Sequence, residues 1–211
     1  MIKVGHLVPF LVIKALPDYD SYFCNILGTE LYSMLPKKYS IKEYKVGDRD
    51  WAAVFEIRPP RVILSQKSPQ YIRKMIESRF SNILLSNGLK IKKVAKIYSA
   101  DFYKVAVGCE NGLVSSKEIF ELFKPHVDSL RENIREKIYF IVYSDNVKEY
   151  VVNALYPAPI ERVKKVIFYS EMNTVDVKVD TSDVAMFMGK RRLNLLTAIK
   201  LTGVNIEING I

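Results

Sequence analysis

The sequence predicts an α+β chain of several modules: an all-β barrel, then two copies of one helix–strand unit. Three observations carry this expectation. Residues 3–66 are short runs of β-branched and aromatic residues, cut by Gly, Pro and Asp turns. From the helix at Pro69 onward, the order helix–strand–strand–helix–helix–strand occurs twice, with corresponding elements roughly 70 residues apart. No Gly/Ser-rich linker separates the units, so they are expected to pack as a stiff array.

The elements follow in order. "KVGHLVPFLVIKAL", "SYFCNIL" and "TELYSML" are three strands, and the apolar run Leu7–Ile13 is expected to be buried on both faces or nearly so. "KEYKVGDRD" is a basic turn at Gly47-Asp48; "WAAVFEIR" and "RVILSQ" follow, separated by Pro59-Pro60. Five strands in about 65 residues is the size of an OB-type barrel. "PQYIRKMIES" is a helix: Ser68 can cap it, Pro69 suits its first position, and Tyr71, Ile72, Met75 and Ile76 form its apolar stripe.

In the first repeat, "LKIKKVAKIYS" and "FYKVAVG" are strands turning at Ala100-Asp101, "SSKEIFELF" and "HVDSLRENIR" are two helices, and "KIYFIVYS" closes. In the second, "NVKEYVVNAL" is a helix, "ERVKKVIFYS" and "TVDVKVD" are strands, "DVAMFMG" and "LNLLTAIKLTG" are helices, and "VNIEI" closes. The predicted divisions are a barrel at 1–66, a connecting helix and loop at 67–88, and repeat units at 89–146 and 147–211.

Composition narrows the function. The net charge is +9 and hydrophobic residues make up 49%, so a core can form and an anionic partner is favoured. Cys24 and Cys109 are far apart, as are His6 and His126, and no CxxC or HExxH spacing occurs. No metal or other cofactor is therefore expected, and free thiols fit a reducing cytoplasm. "LVPFLVI" is too short to span a bilayer and lacks a cleavage site after it, so no membrane association is expected. No nucleophile–base set or phosphate-binding P-loop is present, so an enzyme is not expected.

The repeated order is that of the bacterial-type (type II) KH module, which holds four nucleotides with a GxxG loop between two helices. Glycines let the backbone approach a phosphate, and the next helix presents its first N–H groups to the anion. In the second repeat Gly189-Lys190-Arg191-Arg192 occupies that place.

On these residues the chain resembles the RNA-binding core of the NusA family of bacterial transcription elongation and termination factors. The markers are "YKVGDRDWAAVFEIR", "ILSQKSPQYIRKMIE", "YSDNVKEYVVNALYPAPIERV" and "LNLLTAIKLTGVNIEI", spread over nearly all 211 residues. The resemblance implies an S1-type OB barrel followed by two KH domains. It also implies single-stranded RNA as partner, contact with RNA polymerase or other transcription factors, and a role in pausing, termination or antitermination. It leaves the oligomeric state open. The family's N-terminal polymerase-contacting domain has no counterpart in these residues, as expected of a fragment or of a naturally short relative. The family's second KH loop reads Gly-x-x-Gly followed by Gln-Asn. Here Gly189 and Asn194 remain, while Arg192 and Leu193 replace the second Gly and the Gln. The first loop aligns with Phe120-Glu121-Leu122-Phe123, without glycine, so its phosphate cradle is expected to be lost, with Phe120 and Phe123 sharing a buried helix face.

The expected RNA-binding residues are thus Gly189, Lys190, Arg191, Arg192 and Asn194. Tyr22 and Phe23, with Tyr19, are candidates for base stacking on the barrel. Alternation puts Tyr22 and Phe23 on opposite faces, so one of that pair belongs to the core. His126 reads as a packing or capping residue, and the lysines of "LKIKKVAKIYS" as a half-exposed strand. Two alternatives stand beside RNA binding. One is a protein-interaction adapter that keeps the KH scaffold with degenerate loops. The other is a DNA-binding helix-turn-helix, which the flanking strands and the upstream repeat disfavour.

Overall fold

Alternation of side chains closes the N-terminal segment into a barrel. In the computed structural model, which describes residues 2–97, 99–109, 116–131, 134 and 136–211 (without the side chains of 116, 117, 120, 128, 129 and 131), the first strands are β1 (Leu7–Leu16), β2 (Ser21–Ile26), β3 (Tyr32–Pro36), β4 (Arg49–Arg58) and β5 (Arg61–Ser65). They form a closed barrel in the order β1-β2-β3-β5-β4, with β3 and β5 parallel and the other pairs antiparallel. Val8, Phe10 and Val12 of β1 meet Tyr22, Cys24, Ile26, Leu35, Val54 and Leu64 inside. β1 is not buried on both faces as expected. Leu7, Pro9 and Leu11 are half-exposed and Ile13 is exposed, because a closed barrel has one interior and alternate residues must point outward.

Helix α1 (Pro69–Arg79) follows, with the Tyr71 N–H donating to Ser68 Oγ at 3.2 Å and with Tyr71, Ile72 and Ile76 buried. Residues 1–79 form one compact unit and residues 80–211 a second.

The second unit begins with α2 (Ser81–Ser86), then β6 (Leu89–Ala95), β7 (Phe102–Cys109), α3 (Ser116–Arg131) and β8 (Lys137–Val142). It continues with α4 (Val147–Ala154), β9 (Lys165–Tyr169), β10 (Thr174–Val179), α5 (Val184–Met188), α6 (Leu193–Thr202) and β11 (Asn205–Gly210). Each half carries a three-stranded sheet of the same topology: β6 antiparallel to β7 and β8 parallel to β7, β9 antiparallel to β10 and β11 parallel to β10. A closed five-stranded barrel is thus followed by KH-like α/β modules.

One expected feature is absent. The two helices predicted around Pro125 are a single helix, α3. Proline removes a helical hydrogen bond and suits a first turn, hence the expected break. Ile119, Phe123 and Leu130 nevertheless lie on one buried stripe that runs across Pro125, and this burial overrides the local preference. Strand β6 also stops at Ala95, short of the predicted Ser99.

Strand β7 is buried along most of its length because both faces of its sheet are covered. On one face Phe123 of α3 stacks on Phe140 of β8, ring centroids 4.2 Å apart and planes 11° apart, and Phe80 packs beside Phe123 at 5.5 Å. On the other, Ala95, Ala106 and Ile141 share a core with Val151 and Ala154 of α4 and with Leu195, Ala198 and Leu201 of α6. Val175, Val177, Ile206 and Ile208 of the last sheet close the same core. The two KH-like modules are therefore one packed body, sheet on helices on sheet.

Candidate nucleic-acid interface

The loop between α5 and α6 owes its shape to residues that are not themselves cationic. Gly189 ends α5 at φ 71° and ψ 169°. A Cβ there would lie 2.7 Å from Asn194 Cβ and 3.3 Å from the Asn194 nitrogen. Gly189 is thus required by the close approach of Asn194 as well as by its positive φ. The Gly189 carbonyl accepts from the Arg192 N–H at 2.9 Å, which tightens the turn. Arg191 and Arg192 sit at φ 52° and 59°, in the left-handed region. L side chains enter that region at a cost of about 1–2 kcal/mol per residue. At Arg192, where the family pattern has its second glycine, the loop backbone keeps a glycine-like conformation although the glycine is gone.

Lys190, Arg191 and Arg192 are exposed, and none pairs with a carboxylate among the described residues. Their cations are free to meet an external anion at the start of α6, where the helix dipole also favours negative charge.

Asn194, expected at the RNA interface, is held inside the loop. It is 7% exposed, and its Nδ2 donates to Phe187 O at 2.9 Å and to Leu155 O at 2.8 Å. Both amide hydrogens are spent tying the loop to α5 and to the end of α4. Its Oδ1 is buried with no partner. Asn194 braces the loop from inside.

Beneath this brace lies a residue that the sequence did not single out. Lys104 of β7 is fully buried, and its Nζ donates to the carbonyls of Ala154 and, at 3.4 Å, Asn194. Burial alone lowers its pKa to about 7. A lysine inside "FYKVAVG" looks like one polar position on an alternating strand; its contacts lie 50 and 90 residues downstream, so no local pattern marks it.

The corresponding place in the first module is filled. Phe123 is fully buried in the α3–β8 stack, as expected of a core residue, while the Phe120 side chain lies outside the described residues. His126 is exposed on α3, its ring 6.0 Å from that of Phe80.

On the barrel, alternation is resolved in favour of Phe23. Tyr22 is the core member of the pair: it is 3% exposed, and its hydroxyl oxygen accepts from the Tyr44 N–H at 3.1 Å. A ring so enclosed offers no face to a base, which removes Tyr22 from the stacking set. Phe23 points outward and stacks on Tyr32 at 5.2 Å with planes 10° apart. Tyr19 is 71% exposed. Tyr32 was missed; it is a diagonal neighbour of Phe23 across the β2–β3 pair, a relation that appears once the register is known.

Residues 147–211 match the family model of the NusA-like second KH domain. Over these residues the chain is similar to the second KH domain of NusA. The similarity extends well beyond the module. The transcription termination/antitermination protein NusA of Rickettsia conorii is 26% identical over 181 residues, 79% of this chain and 34% of that protein. The NusA of Halalkalibacterium halodurans is 28% identical over 201 residues, 90% of this chain and 51% of that protein. The chain spans between a third and a half of the length of these two relatives. Among solved structures, APE1850 aligns at 22% identity and a TM-score of 0.41, covering 63% of this chain and 96% of that one. Set beside the NusA loop pattern, Arg192 and Leu193 are the departures, and the geometry shows how they are accommodated: Arg192 takes the left-handed backbone and Leu193 begins α6.

Proposed function

We propose that this chain is an RNA-binding transcription factor of the NusA type, acting in the cytoplasm on pausing, termination or antitermination by contacting nascent single-stranded RNA. In this reading residues 1–66 are the S1-like barrel, 67–88 the connector, and 89–146 and 147–211 the two KH domains. RNA polymerase or another transcription factor is the protein partner that the NusA relatives suggest. The observation that carries the proposal is the loop Gly189–Arg192: three exposed cations without carboxylate partners among the described residues, held at the start of α6 in a KH frame. Compared with a GxxG loop, side-chain charge takes over part of the work of backbone N–H groups. Phe23 and Tyr32 form a stacking platform on the barrel that is tolerant of base identity.

The test is fluorescence anisotropy with a labelled single-stranded RNA at several salt concentrations. Changing Arg191 and Arg192 together to Ala is expected to weaken binding and to flatten the salt dependence by about 0.7 in slope for each phosphate no longer neutralised, roughly one to two units in all. Sequence preference is expected to hold, since phosphates carry no base identity. An unchanged slope in a folded double variant would refute the phosphate role.

One observation favours a second reading, an adapter that keeps the KH scaffold for protein contacts. The first module's loop position is occupied by the Phe123–Phe140 stack and has no glycine to admit a backbone. Absence of salt-dependent RNA binding by the wild-type chain would select that reading.

A further inference from the structure

Lys104 belongs to the first KH-like module, yet its ammonium is spent on the second. It donates to Ala154 O in the last turn of α4 and to Asn194 O in the first turn of α6. The Asn194 amide in turn holds Phe187 and Leu155, the ends of the segments that carry the loop. The cation therefore sits at the root of Gly189–Arg192. We propose that the Lys104 ammonium is a positioning group for this loop and a buried positive charge that the bound anion feels, so that phosphate binding at the loop and protonation of Lys104 favour one another. The proposal rests on the RNA-binding reading above.

The surroundings leave Lys104 as the group that links the loop to pH. In the sheet its neighbours are Ala95 and Tyr139. The titratable and charged groups on the packed elements are Lys90, Lys92 and Lys93 of β6, with Lys96 beyond it; Tyr103 of β7; Lys137 and Tyr139 of β8, with Glu136 before it; Lys148, Glu149 and Tyr150 of α4; Lys200 of α6; and Lys190, Arg191 and Arg192 of the loop. Glu136 pairs with Lys96, Glu149 accepts from Ser144 Oγ, and burial raises Tyr103, Tyr139 and Tyr150. No carboxylate pairs with Lys104 among the described residues, and burial brings its midpoint to about 7. Charged lysine supplies three donors to this carbonyl cluster and neutral lysine two, so losing the proton loosens the brace as well as removing the charge. Linkage then requires the anion to raise the Lys104 midpoint by the factor by which protonation raises affinity.

The experiment measures the affinity of a labelled single-stranded RNA without terminal phosphate from about pH 6 to about pH 8.5, at fixed salt, for the wild type and for Lys104→Met. Wild-type affinity is expected to fall about threefold to tenfold across that range, the size of one charge acting through an intermediate dielectric. The Lys104→Met profile is expected to be flat. His6 and His126 are present in both proteins and cancel in the comparison. The Lys104 Cε resonance of the wild-type chain, followed by NMR with and without RNA, needs no variant; its midpoint is expected to rise when RNA binds. Equal pH slopes in the two proteins, or a midpoint that RNA does not move, would overturn the coupling alone. Absence of RNA binding at every pH would overturn the RNA reading and this one with it.

Discussion

The two KH-like modules have the same strand order and the same pairing but solve one place in opposite ways. In the first, a single helix runs through the position of the loop, and Phe123 closes it against Phe140. In the second, the chain stops at Gly189, turns through two left-handed arginines and restarts at Leu193. One site is filled with aromatic surface and gains stability. The other stores backbone strain and displays charge. A shared fold thus tolerates loss of the loop where packing replaces it and keeps the loop where strained residues hold cations outward, as expected when function resides in the site and not in the fold.

The largest expected effect tests the filled site. Phe123→Ala removes a fully buried ring from the stack with Phe140 and Phe80 and is expected to cost about 3–5 kcal/mol in chemical denaturation. A loss below about 1 kcal/mol would mean that the first module does not depend on this closure.

Next in size is the buried cation that joins the modules. Lys104 titrates near 7 in the folded chain and near its ordinary value of 10.5 when unfolded. Between those values the unfolded chain holds the extra proton, so stability must rise with pH. From about pH 7 to pH 9 the wild type is expected to gain about 2–3 kcal/mol relative to Lys104→Met, whose profile lacks this slope. Higher pH is avoided because Cys24 acts in the opposite sense. Burial pushes its thiol from 9.0 up to about 12, so the unfolded chain loses that proton first and stability falls. Parallel denaturation midpoints for the two proteins over this window would contradict the burial of a charged Lys104.

Gly189→Ala tests whether the open site depends on its glycine. The new Cβ meets Asn194 at 2.7 Å and must adopt φ 71°, so a loss of about 1–3 kcal/mol is expected, with RNA affinity falling because the brace shifts. Thermal melts and anisotropy on the same samples check both halves of this expectation.

What the sequence could reveal follows the range of the interactions. Barrel strands, the Ser68 cap and the order of the second module were legible because alternation, turn residues and caps act within a few residues. The cationic loop was legible from its place between two helices. The bracing role of Asn194 was not legible because its partners, Phe187 and Leu155, are set by the packing of three helices. Lys104 escaped notice for the same reason. Tyr22 and Phe23 were correctly placed on opposite faces, but which one points inward is decided by Tyr44, more than twenty residues away, whose N–H bonds the Tyr22 hydroxyl. The break predicted at Pro125 failed because a local preference met an apolar stripe that spans it.

The smallest expected effect separates strain from charge within the open loop. Arg192 holds φ 59°, which favours glycine, and its side chain is exposed without an ion pair among the described residues. Arg192→Gly relieves left-handed strain of about 1–2 kcal/mol. The same change enlarges the conformational freedom of the unfolded chain, which returns about 0.5–1 kcal/mol of the gain. A net stabilisation of a few tenths to about 1 kcal/mol is therefore expected in denaturation. Binding is expected to move the other way in the same protein. One cation is removed, so the RNA salt dependence flattens by about 0.7 in slope. Comparing Arg192→Gly with Arg192→Ala isolates the backbone, because both remove the charge and only glycine removes the strain. If both variants lose stability equally, Arg192 is held by contacts of its side chain and the picture of a strained, outward-facing cation fails. If glycine stabilises while both variants lose the same salt slope, the second module is keeping an arginine there for its charge and bearing the strain that comes with it.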